Sequence, residues 1–88
     1  MKIVWTPNAW EEYLYWQKTD QKILQAINDL IKDIQRQPFK GLGKPEPLKH
    51  AFKGFWSRRI NQEDRLVYRV SGNGAAQQVE IVQCRYHY

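Results

Sequence analysis

The stretch FWSRRINQEDRLVYRV, residues 55–70, decides the fold that this sequence predicts. Two runs rich in aromatic and β-branched residues, 55–60 and 65–70, are separated by the polar residues 61–64. Such runs favour extended strands, and a short polar segment between them is typical of an antiparallel hairpin. This stretch therefore predicts the centre of an antiparallel sheet.

Segments on either side extend that sheet. Residues 79–86 have the same aromatic and β-branched character and follow a turn at 71–74 that contains two glycines. Residues 2–5, KIVW, predict a short N-terminal strand, and residues 48–52 are a candidate for one more.

The segment between the first strand and the hairpin follows a helical period instead. A cap signal at Thr6, followed by a proline, starts one helix, which is expected to run to about residue 18. A second cap signal at Thr19-Asp20 starts another helix, which Pro38 ends. The apolar positions of this second helix recur at helical spacing and are Ile23, Leu24, Ile27, Leu30, Ile31 and Ile34. The expected α+β fold is a two-helix hairpin packed on a small antiparallel β-sheet, with the short strand at its N-terminus.

Length and composition limit the class of protein. The 88 residues suffice for one domain with one small core, which we assign to residues 1–88. Hydrophobic residues make up 42% and aromatic residues 14%, which excludes a wholly disordered chain. No apolar run approaches the ~18 residues of a membrane span, so we expect no membrane partner. The net charge is +5 and eight of the 14 Lys and Arg lie in residues 44–88, which allows for a polyanionic partner without establishing one.

The sequence offers little for disulfide or metal chemistry. Cys84 is the one cysteine, so it forms no intramolecular disulfide or thiolate zinc cluster, and we expect it to pack as a small apolar residue. His50 and His87 are too few and too far apart in the chain to suggest a metal site. The first residues, MKIVWTP, lack the apolar run of a signal peptide. We therefore expect a cytoplasmic protein that works without a cofactor.

One carboxylate stands in an unusual local sequence, Lys44-Pro45-Glu46-Pro47. Proline fixes its backbone φ at about −65°, so the flanking prolines limit the directions in which Glu46 can point. A carboxylate of restricted direction with lysines nearby suits a general base. The alternative is a solvated glutamate in a rigid loop.

Four arginines lie on the predicted hairpin: Arg58, Arg59, Arg65 and Arg69. Arginine matches phosphate oxygens, and arginines with aromatic residues on a sheet can bind single-stranded RNA. The alternative is a solvated face covered by arginine stems. A four-residue loop at 61–64 would put Arg65 on the face of Arg58, whereas a bulge would put it on the face of Arg59. The residues leave both registers open.

The chain ends in CRYHY, residues 84–88, whose aromatic and titratable groups continue a predicted strand. His87 can exchange a proton near neutral pH, and Tyr88 offers a ring and a hydroxyl. The alternative, an edge strand whose aromatic residues fill the core, fits Tyr86 better than His87 because a buried imidazole needs partners. Together, Glu46, the arginines and His87 would supply a base, cations and an acid. Cleavage of RNA by its own 2′-hydroxyl needs these three roles and no metal.

Five segments of the chain, in order, resemble the YoeB/Txe family of bacterial toxins in the RelE-like superfamily. They are YLYWQ at 13–17, GLGKPEPLKH at 41–50, GFWSRRI at 54–60, RLVY at 65–68 and CRYHY at 84–88. The resemblance runs from Trp5 to the last residue. It implies a RelE-like, microbial-ribonuclease-like form of the α+β fold.

The resemblance also implies an activity and partners. Members of the family are toxins of type II toxin–antitoxin modules, and they are mRNA interferases: ribosome-dependent endoribonucleases that cut mRNA in the ribosomal A site. The implied partners are the 70S ribosome with its mRNA, a cognate YefM-like antitoxin and a second copy of the chain in a homodimer.

The family's proposed site residues carry over to matching positions. The catalytic set is Glu46 as general base, His87 as general acid, Arg65 against the phosphate, and Tyr88 as the residue that shapes the site. Lys49 and Arg59 match supporting basic residues that bind RNA. The resemblance therefore favours Arg59, rather than Arg58, beside Arg65.

One feature departs from the family, because the loop at residues 71–78 looks longer than usual. It lies away from the motifs, so it bears on ribosome fit or antitoxin contact more than on chemistry. Two other functions are alternatives: a toxin of the same superfamily with another target, such as DNA gyrase, and a non-catalytic basic module that binds RNA. A toxin that acts on gyrase would not need this acid–base set. A module that only binds RNA would keep its effect when His87 is replaced.

Overall fold

Two helices pack on one face of a five-stranded sheet in the computed structural model, which describes residues 1–87. The elements are β1 (Lys2–Trp5), α1 (Pro7–Thr19), α2 (Gln21–Arg36), β2 (Glu46–Pro47), β3 (Trp56–Arg59), β4 (Arg65–Ser71) and β5 (Gln78–Gln83). The strands are ordered β1-β5-β4-β3-β2 across the sheet. The predicted α+β class and helical hairpin are confirmed.

The sheet is mixed rather than wholly antiparallel. Strands β3, β4 and β5 form the predicted antiparallel meander, but β1 runs parallel to β5, with Lys2 opposite Gln78 and Trp5 opposite Ile81. A tight turn between two strands forces antiparallel pairing, and no such turn joins β1 to β5. The direction of β1 is therefore set by packing, which a residue pattern does not reveal.

Local signals account for both helices. The Thr6 Oγ1 atom accepts a hydrogen bond from the Ala9 amide at 3.1 Å, and Pro7 occupies the first turn, where no amide is needed. The Asp20 carboxylate accepts from two amides in the first turn of α2, at 3.0 and 3.1 Å. Within residues 1–87, no helix is long and apolar enough to cross a membrane.

The core lies between the helices and the sheet. It includes the predicted face of α2 and the facing positions of β4 and β5, namely Ile27, Leu30, Ile31, Ile34, Leu66, Tyr68, Val79 and Ile81. Cys84 is fully buried in the same cluster, and burial raises the pKa of its thiol to about 12. The thiol is therefore neutral and packs as the small apolar residue that the sequence predicts.

The predicted strand at residues 48–52 is wrong. The strand is Glu46–Pro47, and His50–Phe52 form a single 3₁₀ turn. Pro47 lacks an amide, which is tolerated because β2 is at the edge of the sheet.

The predicted strand at residues 79–86 is correct in its first part and ends early, at Gln83. The amide of the next residue, Cys84, donates to the Glu12 carboxylate of α1 at 2.8 Å rather than to a strand. A helix side chain thus redirects the C-terminal segment.

Candidate active site

The face of the sheet opposite the helices carries two of the predicted catalytic residues, Glu46 and Arg65. Leu66 of β4 is buried in the core, so its neighbours Arg65 and Val67 point to the other face. Pairing across the strands puts Glu46 opposite Ser57 and Ser57 opposite Val67. Glu46 and Arg65 therefore share this face.

The register of the β3–β4 pair decides which arginine accompanies Arg65. Arg59 lies directly opposite Arg65, and residues 60–64 form the loop. The simple four-residue loop, which would put Arg58 on the face of Arg65, is wrong, and the resemblance-based choice of Arg59 is confirmed. The loop is longer because the Asn61 side chain accepts hydrogen bonds from the Glu63 and Asp64 amides, at 2.8 and 2.7 Å. These bonds close a turn within the loop.

Glu46 and Arg59 are neighbours on this face. Glu46 is opposite Ser57, which lies two residues before Arg59 on β3. Such diagonal pairs are about 7–8 Å apart between Cα atoms, which long side chains can span. Glu46 and Arg59 are exposed, and Ser57 is buried. The face thus presents an accessible carboxylate near an accessible guanidinium.

The loop that precedes Arg65 fixes its guanidinium. Arg65 is only 8% exposed, and its Nη1 donates to the carbonyl oxygens of Asn61, Gln62 and Asp64 at 2.8, 3.2 and 3.1 Å. None of the carboxylates in the described part of the chain forms an ion pair with it. A fixed guanidinium that forms no ion pair with those carboxylates is suited to an anion such as a phosphate.

The C-terminal segment is hydrogen-bonded to the beginning of β4. The Arg65 amide donates to the Tyr86 carbonyl at 3.0 Å, and the Tyr86 amide donates to the Asp64 carboxylate at 2.7 Å. Tyr86 has a positive φ of 71°, which is uncommon for an aromatic residue. His87 comes next and is exposed. The predicted acid is thereby attached to the strand end that carries Arg65.

Helix α1 holds the start of the same segment. The Trp16 Nε1 donates to the Cys84 carbonyl at 2.8 Å, and the Arg85 guanidinium lies 3.6 Å from the ring centre of Tyr15. Burial raises the pKa of the Glu12 carboxyl, and the hydrogen bond from the Cys84 amide partly opposes that shift. These supporting contacts join residues 68 or more apart in the chain, so no local motif indicated them.

Arg58 does not share the RNA-binding role predicted for its neighbour Arg59. Arg58 is fully buried on the helix side of the sheet, where its Nη1 lies 2.6 Å from the Asp33 carboxylate. The Leu42 amide and the Arg58 guanidinium together hold the pKa of the Asp33 carboxyl down at about 2. Arg58 also donates to the carbonyl oxygens of Gln37, Lys40 and Leu42, at 2.6, 2.9 and 3.2 Å. It therefore fixes the loop after α2.

The remaining predicted residues differ in how they are placed. Lys49 is exposed and precedes the turn at His50–Phe52, so no strand pairing puts it on the face of Glu46. Tyr88 lies outside the described residues. In residues 1–87, no three His, Cys, Asp or Glu side chains are grouped in a way that could hold a metal ion.

Comparisons with known proteins agree along the whole chain. A family model for the YoeB-like toxin of bacterial type II toxin–antitoxin systems matches residues 5–88. Toxin YoeB of Escherichia coli K12 is 56% identical over 88 residues, which is all of both chains. The structure of a YoeB/ParE toxin from Agrobacterium tumefaciens has a TM-score of 0.96 and 57% identity, covering 100% of both chains.

Two structures from Staphylococcus aureus are also similar. A YoeB dimer has a TM-score of 0.89 at 45% identity, and a YoeB–YefM complex has 0.88 at 44%. Each match covers 100% of this chain and 98% of the other. The chain therefore belongs to the family of YoeB-like toxins of bacterial type II toxin–antitoxin systems.

Proposed function

We propose that this toxin is a ribosome-dependent endoribonuclease that cuts mRNA in the ribosomal A site and so inhibits translation. One observation carries the proposal. Glu46, Arg59 and Arg65 share the sheet face opposite the helices, and the segment that leads to His87 is hydrogen-bonded to the strand end at Arg65. Membership of the toxin family supports it.

In the proposed reaction the 2′-hydroxyl of the RNA attacks the adjacent phosphorus atom and the 5′-oxygen leaves. Glu46 accepts the proton from the 2′-hydroxyl, and His87 donates a proton to the leaving 5′-oxygen. Each transfer would contribute about 10²–10⁴-fold. Arg65 faces the charge that builds up on the phosphorane, where a fixed donor acts without reorganising. The products would be a 2′,3′-cyclic phosphate and a 5′-hydroxyl.

Other residues would bind rather than react. Arg59 and Lys49 are exposed cations, and we propose that they contact the RNA backbone. Tyr88 would shape the site, as in the family pattern. Every step in this scheme is assigned to a side chain, so it calls for no metal or cofactor.

The ribosome would supply the surface that positions the RNA. Positioning is a large part of catalysis, and a chain of 88 residues offers little surface on which to orient an RNA strand. We therefore propose that the ribosome holds the mRNA, which makes the cytoplasm the site of action. By analogy with the YoeB–YefM complex and the YoeB dimer, we also propose a YefM-like antitoxin and a homodimer as assemblies.

Primer-extension mapping of mRNA in a cell-free translation reaction tests the proposal. Wild type, His87→Asn and His50→Asn are compared with an untagged C-terminus, each with and without ribosomes engaged on the message. His50 is the matched control, because it is the other histidine and asparagine tolerates its positive φ of 58°. We expect discrete cuts within codons that require ribosomes and His87 but not His50.

Two outcomes would contradict the proposal. Absence of cuts by the folded wild-type protein would exclude the nuclease and direct attention to DNA gyrase. Equal cutting by wild type and His87→Asn would remove the acid role from His87.

A further inference from the structure

The last described turn of the chain is held from two sides. Trp16 and Glu12 of α1 bind the backbone of Cys84, as described above. The end of the β3–β4 loop and the start of β4 then bind both backbone groups of Tyr86, through the Asp64 carboxylate and the Arg65 amide. Both backbone polar groups of Tyr86, the residue before His87, therefore have partners at Asp64 and Arg65.

Asp64 is built into the loop rather than simply adjacent to it. Its side chain is buried, at 8% exposure for the residue, and its two carboxylate oxygens have separate partners. Oδ1 accepts from the Tyr86 amide at 2.7 Å, and Oδ2 accepts from the Asn61 Nδ2 at 3.1 Å. The Asp64 carbonyl accepts in turn from the Arg65 guanidinium at 3.1 Å. One residue therefore contacts both the phosphate-binding arginine and the segment that leads to His87.

The conformation of Tyr86 needs such a partner. A positive φ is unfavourable for a bulky residue, and a free C-terminal segment has little reason to adopt it. A short hydrogen bond to an ionised acceptor is stronger than one to a neutral acceptor. The bond from the Tyr86 amide to Asp64 opposes the strain at Tyr86.

We propose that Asp64 is a positioning residue that sets His87 relative to the phosphate held by Arg65. The inference rests on the proposed function, because it gives Asp64 a role only if His87 protonates the leaving oxygen. A displacement of about 1 Å at a reacting group can cost on the order of 10²-fold in rate. Loss of the Asp64 contact should therefore slow cleavage without a matching change in substrate affinity.

The test uses single-turnover cleavage of two ribosome-bound messages. One has the ordinary 5′-oxygen at the cut, and the other has sulfur in place of that bridging oxygen. A thiolate leaves without needing a proton, so the sulfur substrate bypasses the general acid. We expect Asp64→Ala to be slowed by about 10²-fold on the oxygen substrate and to approach wild type on the sulfur substrate, as His87→Ala does.

Matched variants separate positioning from general damage. Glu63→Ala removes a neighbouring exposed carboxylate that forms no ion pair with Arg65 and should leave both rates unchanged. Asp64→Asn can keep one oxygen for the Tyr86 amide, but its amide nitrogen then faces the Asn61 Nδ2 donor and its charge is lost. Its loss on the oxygen substrate should therefore be smaller than that of Asp64→Ala, with the same recovery on sulfur.

A second route avoids any change of side chain. Residues 84–88 can be joined by chemical ligation at Cys84 with an ester in place of the amide between Arg85 and Tyr86, which replaces the donor to Asp64 by an ester oxygen and changes no side chain. This full-length protein should show the same loss on the oxygen substrate and the same recovery on sulfur. It also covers the case in which Asp64→Ala fails to fold.

Two results would overturn the inference while the proposed function stands. In the first, wild type cleaves and His87→Ala is rescued by sulfur, but the ester protein cleaves the oxygen substrate at the wild-type rate. In the second, the ester protein is slowed equally on both substrates, which would assign the contact to a step other than protonation. If sulfur fails to rescue His87→Ala itself, the assigned acid is wrong and this inference falls with it, whereas cleavage by wild type would still support the nuclease.

Discussion

Arg58 and Arg65 lie on opposite faces of the same strand pair and use similar contacts for different purposes. Each guanidinium donates to three backbone carbonyl oxygens and so fixes a loop. Arg58 also pairs with the Asp33 carboxylate, whereas no carboxylate within residues 1–87 pairs with Arg65. The number of hydrogen bonds therefore does not distinguish Arg58 from Arg65. An ion pair with a described carboxylate does, and its absence at Arg65 agrees with the proposal that Arg65 binds the phosphate.

The largest effect is expected from Arg58→Met. This change leaves the buried Asp33 carboxylate without its cation and frees three carbonyl oxygens. Breaking one side of a buried ion pair costs about 3–5 kcal/mol. Urea denaturation should show this loss, and adding Asp33→Asn should restore part of it, because the two residues form one network. Simple addition of the two single effects would contradict the idea of a coupled pair.

The same substitution at the next residue, Arg59→Met, should lower the cleavage rate rather than the stability. Arg59 is exposed and forms no ion pair with a described carboxylate, so the unfolding free energy should change by less than about 0.5 kcal/mol. Loss of a charged contact to RNA should lower the cleavage rate by about 10- to 10²-fold. A stability loss similar to that of Arg58→Met, with cleavage per folded molecule intact, would refute the division between the two faces.

Acid should weaken the helix-side network. The pKa of the Asp33 carboxyl is lowered from 3.8 to about 2 in the folded protein, so its ionised form stabilises the fold above about pH 4. That contribution is lost as the pH falls from 4 towards 2. The difference in unfolding free energy between wild type and Asp33→Asn should therefore shrink over this interval in urea titrations at successive pH values. A difference that stays constant down to pH 2 would contradict the assignment.

The smallest effect is expected from Arg69→Ala, a control for charge alone. Arg69 pairs with Glu80 at 2.8 Å, but its side chain is 51% exposed, and such surface pairs contribute about 0.2–1 kcal/mol. Stability should change by no more than this, and the cleavage rate should stay close to that of wild type. If Arg69→Ala lowered cleavage as much as Arg59→Met, a basic module that binds through net charge would be the better account.

Local patterns predicted the elements whose causes are local. Residues close together in the chain determine the caps at Thr6 and Asp20, the apolar face of α2 and the three-stranded meander. The parallel pairing of β1 was not predictable in this way, because its partner β5 lies at the other end of the chain.

The candidate site was predictable to the extent that it depends on motifs. The resemblance placed Arg59 beside Arg65, whereas residue counting in the hairpin suggested Arg58. Counting failed because it could not know that Asn61 would accept two loop amides and lengthen the loop. Asp64 was seen only as a turn residue, since its partner Tyr86 is 22 positions away. Long-range hydrogen bonds of this kind leave no local signal.

The most direct test of the account is the chemistry of the cut ends. Messages cleaved on ribosomes by wild-type toxin can be analysed by mass spectrometry, alongside a message with one 2′-deoxynucleotide at the cut position. We predict a 2′,3′-cyclic phosphate on the upstream fragment, a 5′-hydroxyl on the downstream fragment, and no cut at the deoxy position. A 3′-hydroxyl with a 5′-phosphate, or unchanged cutting at the deoxy position, would contradict 2′-hydroxyl attack at the face that carries Glu46 and Arg65.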